Sequence, residues 1–140
     1  DNPSLDSLSG LSGLISIGGY LRIKSNSTLL NISDLSGLTS IGGYLRVEEN
    51  ELLNSLTGLE GIESVHGEVI IELNNTLTDL TGLNSIATVQ DYFRISNNNS
   101  LTSLEGLNSL TSAENLSIKD NILLSNPITT AFLLPLAANS

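Results

Sequence analysis

One histidine, His66, and no cysteine leave this 140-residue chain few ways to do chemistry. A nucleophilic triad needs a base beside its hydroxyl or thiol, and a zinc site needs several nitrogen or sulfur ligands. A single imidazole and no thiol supply neither. Carboxylates are the one abundant reactive group, 15 Asp and Glu against 5 Lys and Arg. Glu48 and Glu72 sit 24 residues apart, and on neighbouring strands they would lie about 5 Å from one another, a separation that glycoside hydrolysis uses. Nothing around them in the sequence encloses such a pair. The run Glu48-Glu49-x-Glu51 lacks the spacing of a calcium loop, and no glycine-rich phosphate loop is present. The chain is therefore expected to have no catalytic residue, no metal and no cofactor, and not to be an enzyme.

The elements that carry these residues are set by a repeat. Leu5, Leu8, Leu11, Leu14 and Ile17 fall every third residue, followed by the alternating pair Leu21 and Ile23 and then Asn26. A step of 24 reproduces the set as Leu29, Ile32, Leu35, Leu38, Ile41, Leu45, Val47 and Asn50. Two further steps end in Val69, Ile71 and Asn74, then in Phe93, Ile95 and Asn98; a fifth unit loses one residue and ends in Leu116, Ile118 and Asn121. The alternating pair is the period of a strand. The triplet run has neither helix nor strand period and suits an extended or 3₁₀-like return path. No unit can bury its apolar edge alone, so the units must stack. His66 aligns with Gly18, Gly42 and Gln90 and is read as an exposed corner.

The asparagines form a column of their own: Asn2, Asn26, Asn50, Asn74, Asn98 and Asn121. A buried amide at a tight turn can both donate to and accept from backbone groups, so this column is read as a structural ladder. Three of its members lie in Asn-x-Ser/Thr sequons and should be inaccessible, which leaves Asn31 as the best glycan acceptor.

The string Leu21-x-Ile23-x-x-Asn26-x-x-Leu29 resembles the leucine-rich repeat, and Gly37 to Asn50, GLTSIGGYLRVEEN, resembles its receptor L-domain subclass. Members of that subclass include growth-factor and insulin receptor ectodomains, fungal cell-wall proteins and bacterial surface proteins. The resemblance covers roughly residues 1 to 124. It implies a right-handed parallel β-solenoid with 24-residue repeats and five strands, placed outside the cell or on its surface.

Two regions follow. Residues 1–124 are the expected solenoid; they open at Asp1-Asn2, in register with Asp120-Asn121, and so read as starting in mid-repeat within a longer array. Residues 125–140 break the period with Pro127 and Ala131-Phe132-Leu133-Leu134-Pro135, and read as a hydrophobic C-terminal cap or docking segment.

Register also assigns side chains to the outward face of the strands. The first column is Tyr20, Tyr44, Glu68, Tyr92 and Asn115; the second is Arg22, Arg46, Ile70, Arg94 and Ser117; the third is Lys24, Glu48, Glu72, Ser96 and Lys119. All three tyrosines and all five basic residues stand here with three acids, a net +2, while the remainder carries 12 acids and no base. Ladder packing of long side chains over a sheet accounts for such columns. So does a recognition face, because Tyr and Arg dominate binding hot spots. The expected function is extracellular recognition or adhesion, binding a protein or glycan through Tyr20, Arg22, Lys24, Tyr44, Arg46, Glu48, Glu68, Glu72, Tyr92, Arg94 and Lys119. The alternative is a structural block that self-associates head to tail into a filament or surface layer. Ice binding by the hydroxyl column Ser16, Ser40, Ser64, Thr88 and Ser112 is a distant third. The net charge of −10 argues against a nucleic-acid partner, and no apolar run of about 18 residues is present for membrane insertion.

Overall fold

The computed structural model describes residues 1–124; the expected cap or docking segment, 125–140, lies outside the described residues. The chain forms a parallel β-solenoid of about four turns with almost no helix. Four-residue strands recur at β2 (Leu21–Lys24), β4 (Leu45–Glu48) and β6 (Val69–Glu72), and Leu21, Leu45, Val69 and Phe93 are register partners in turn. Those pairings fix the 24-residue spacing.

A second parallel ladder runs beside the first. Its two-residue strands are β1 (Ser16–Ile17), β3 (Ser40–Ile41) and β5 (Ser64–Val65). In β7 (Thr88–Ser96) and β8 (Ser112–Lys119) the two ladders fuse into single long strands. The described residues thus hold eight strands where five were expected. A two-residue strand is too short for alternation to reveal it, and the triplet spacing hides its inward residue. The fused strands also place the missing residue of the fifth unit. Val89 pairs with Ala113 and Tyr92 with Asn115, so Gln90-Asp91 bulge opposite the single Glu114.

The return path is extended, interrupted by 3₁₀ turns at Ser9–Leu11, Ser33–Leu35 and Thr81–Leu83. Each coil turns into this path under the same local cap. Ser7, Asn31, Ser55, Asp79 and Ser103 form one column, and each side-chain oxygen accepts from the backbone N–H two residues on, at 3.0–3.3 Å. Glycine is required where coils approach most closely. A Cβ on Gly82 would stand 1.9 Å from the Leu56 carbonyl oxygen, and on Gly106 1.8 Å from that of Leu80.

Seven inward columns fill the interior. In the middle coils Leu29, Leu45, Leu56, Val69, Leu80 and Phe93 are wholly inaccessible, whereas Leu5, Leu8, Leu14 and Leu21 of the first coil are half-buried. Burying such a side chain is worth about 1.5–3 kcal/mol, so stacking supplies stability that no single coil has.

Candidate functional site

The strand face is held level by the asparagine ladder at its rim. Asn50 Oδ1 accepts from Asn26 N and Nδ2 at 3.2 Å, while its own Nδ2 donates to the carbonyls of Ile23 (3.0 Å) and Glu48 (2.9 Å). Asn74 repeats this one coil on, with Val47 and Glu72, and Asn98 and Asn121 continue it. Asn26, Asn50, Asn74, Asn98 and Asn121 are buried; Asn2 is exposed and donates only its backbone N–H, to Asn26 Oδ1. The residue before each buried rung takes the left-handed conformation: Ser25, Glu49, Leu73, Asn97 and Asp120 all have φ between 54° and 60°. Sequence reasoning missed this column. Asn, Asp and Ser at three of its places were the available signal, since short polar residues adopt that region most readily.

Above this rim the outward columns meet side chain to side chain. Tyr20 and Tyr44 stack with ring centroids 4.5 Å apart and planes 11° from parallel. The Arg46 guanidinium sits 4.7 Å from the centre of the Tyr44 ring, and its Nε donates to Glu68 at 2.8 Å. The resulting stack runs Glu68–Arg46–Tyr44–Tyr20, and Tyr20 remains 60% exposed. Tyr92 stands apart from it, half-buried, with Asp91 Oδ1 on its backbone N–H.

The basic residues are engaged within the protein. Arg22 Nε donates to Glu48 at 2.8 Å, Lys24 Nζ pairs with Glu49 at 2.7 Å, and Arg94 lies 3.4 Å from Glu72 and donates to Ser96 Oγ. Hydrogen bonds from Lys24 and Ser25 hold the Glu49 carboxyl below its ordinary range, and the bond to Glu48 raises the Arg22 guanidinium. Lys119 is exposed and has no ion pair among the described residues. Glu48 and Glu72 are register neighbours, but each is bound by its own arginine rather than facing the other across a cleft. Glu49 lies outside the outward columns, so the sequence columns did not find it; its offset of 25 from Lys24, one coil plus one residue, is the signal.

No protein-family model, curated protein or solved structure matches the chain.

His66 is exposed at its corner. Among the described residues no group of three or more His, Asp or Glu side chains could hold a metal ion. No described helix is long and apolar enough to cross a membrane. The face offers an aromatic platform and bonded pairs of donors and acceptors above a parallel sheet.

Proposed function

We propose that this protein is a non-enzymatic recognition or adhesion module of the leucine-rich-repeat type, right-handed and akin to receptor L domains. It works outside the cell or on its surface and engages a protein or glycan through the β2–β4–β6–β7 face. One observation carries the reading: Tyr20 keeps its ring open to solvent while the Tyr44–Arg46–Glu68 stack fixes the ring behind it. An ordered aromatic that costs little entropy to bind against is what a hot spot requires. The test is a glycan and extracellular-protein array probed with the wild-type chain, with Tyr20→Ala/Arg22→Ala, and with Glu63→Gln on the exposed return path as control. Loss of signal only in the face variant, at unchanged melting temperature, supports the reading; signal that survives it sinks the reading.

A second reading, head-to-tail stacking into an assembly, is favoured by the first coil. The outer edge of β2 has no partner strand among the described residues, and a recess of about 180 Å³ lies there between Leu5, Leu8, Leu11 and Leu21. Light scattering across a concentration series separates the two. A constant 14.8 kDa species matches the recognition module, and concentration-dependent growth matches stacking.

A further inference from the structure

We infer that the ligand of this face is a neutral, extended glycan; the inference rests on the recognition reading above and narrows it. Charge is the first argument. Arg22, Lys24, Arg46 and Arg94 are each bonded to a carboxylate, Glu48, Glu49, Glu68 and Glu72 in turn. Lys119, on the β8 end of the face, is the one basic residue there with no ion pair among the described residues. Around Tyr20 and Tyr44 an anionic ligand would have to displace one of those carboxylates, exchanging one ion pair for another with little gain. A cationic ligand is drawn to the rest of the surface, where the other acids lie.

Apolar area is the second. The centre of a protein–protein interface is depleted in charge and rich in apolar contact. The only aliphatic residue in the outward columns, Ile70, is 8% exposed, so the face has no apolar centre to offer. The platform itself is the third. A sugar ring is apolar across its C–H faces and polar at its rim, the complement of Tyr20 flanked by the Arg22–Glu48 pair. Arg22 spends Nε on Glu48 and keeps its other guanidinium donors, while a carboxylate has about four acceptor sites. Sugar hydroxyls both donate and accept, and can use both groups without breaking the pair. Tyr20 with Arg22, Tyr44 with Arg46 and Tyr92 with Arg94 stand on three coils of one parallel sheet, with Glu68 and Ile70 on the coil between the second and third pairs, so the matching ligand is a chain of sugars laid over several coils rather than a terminal sugar in a socket.

Native affinity electrophoresis tests this on the intact chain, using gels cast with hydroxyethyl cellulose, laminarin or galactomannan as neutral probes and alginate or heparin as anionic ones. Retardation by at least one neutral polysaccharide is expected, with equal strength at about 20 mM and about 0.3 M salt, because no net ion pair forms. Tyr20→Ala should weaken it about tenfold, or roughly 1.4 kcal/mol, while Tyr20→Phe keeps the ring and the binding. Retardation by anionic probes alone, falling with salt, would overturn the inference. So would neutral binding that Tyr20→Ala leaves intact. Failure of every polysaccharide, together with a face-dependent hit on the protein array, removes the glycan and leaves the recognition face; failure of both removes both.

Discussion

Replacing Asn74 by Ala should be among the most costly polar-to-alanine changes this protein can suffer, although Asn74 touches no ligand surface. The side chain is wholly buried. Its Oδ1 accepts from Asn50 N at 3.2 Å, and its Nδ2 donates to Val47 O at 2.9 Å and Glu72 O at 3.2 Å. The variant orphans a buried N–H, at about 1–3 kcal/mol, and removes two carbonyl bonds worth about 1 kcal/mol each. The expected loss is roughly 3–5 kcal/mol, a large share of the ~5–15 kcal/mol a domain of this size possesses. The control is in the same column: Asn2 is exposed and its hydrogen bonds, N–H to Asn26 Oδ1 and carbonyl from Leu5 N, come from its backbone, so Asn2→Ala should change stability by less than about 0.5 kcal/mol. Urea unfolding followed by far-UV circular dichroism reads both. For an m-value near 2 kcal/mol/M the midpoint of Asn74→Ala falls by about 2 M, while that of Asn2→Ala stays. If the two variants unfold within about 1 kcal/mol of each other, the ladder does not hold the coils together and the reasoning fails.

Close contacts, backbone strain and titration each give a further expected outcome. Gly82→Ala should cost more than about 2 kcal/mol, because its Cβ would overlap the Leu56 carbonyl at 1.9 Å; Gly10→Ala, in the same column with nothing within 4 Å, should be near neutral by the same urea assay. Leu73→Asn should stabilise by about 1 kcal/mol, since Leu73 is 37% exposed at φ 60°, where a branched apolar residue is strained and Asn is at home; a lowered melting temperature would contradict this. Burial pushes the Asp79 carboxyl up, but bonds from Thr81 N, the Thr81 hydroxyl and the Thr78 hydroxyl outweigh it and hold the group below its ordinary range. A depressed folded value means that its stabilisation is present above the unfolded value, about pH 4, and is lost as pH falls through the folded one. The amide introduced by Asp79→Asn keeps an acceptor oxygen of the kind that Asn31 supplies in its own coil, but it does not titrate. The stability gap between wild type and this variant should therefore shrink between pH 6 and pH 3; a gap that stays constant would contradict it.

The inward columns and the asparagine rungs were legible because each recurs at 24 residues and each has one chemical reason to recur: an apolar side chain with nowhere else to go, or an amide with both a donor and an acceptor to spend. The short ladder β1–β3–β5 was not legible, since two residues cannot show alternation. Neither was the cap column from Ser7 to Ser103. Its members are Ser, Asn and Asp, which share an oxygen rather than a residue type, and the more uniform neighbouring column of Ser9, Ser33, Thr57 and Thr81 draws the eye instead; in the structure Ser9, Ser33, Thr57 and Thr81 are the donors. On the face, sequence register placed Arg22 beside Arg46 as strand partners, which the structure repeats. It did not show that each arginine leans one coil away to a glutamate two residues out of column, because side-chain reach, not backbone register, decides that.

That distinction separates what folds the protein from what the face is for. Inward columns, rungs and glycine contacts specify the coil, and each is worth several kcal/mol when removed. The four ion pairs of the face are partly exposed, and solvent screening and side-chain entropy leave each with only a small share of the stability. Stability alone would be served as well by spreading five basic residues among the 12 acids elsewhere, where like charges now repel. Their confinement to one face, together with all three tyrosines, is therefore not demanded by the fold. It leaves one side of the sheet slightly positive but with most of its charges paired, rich in hydrogen-bonding groups and aromatic, and the remainder of the surface acidic. A surface of the first kind is what the proposed glycan reading needs, while an acidic one repels its like on another copy.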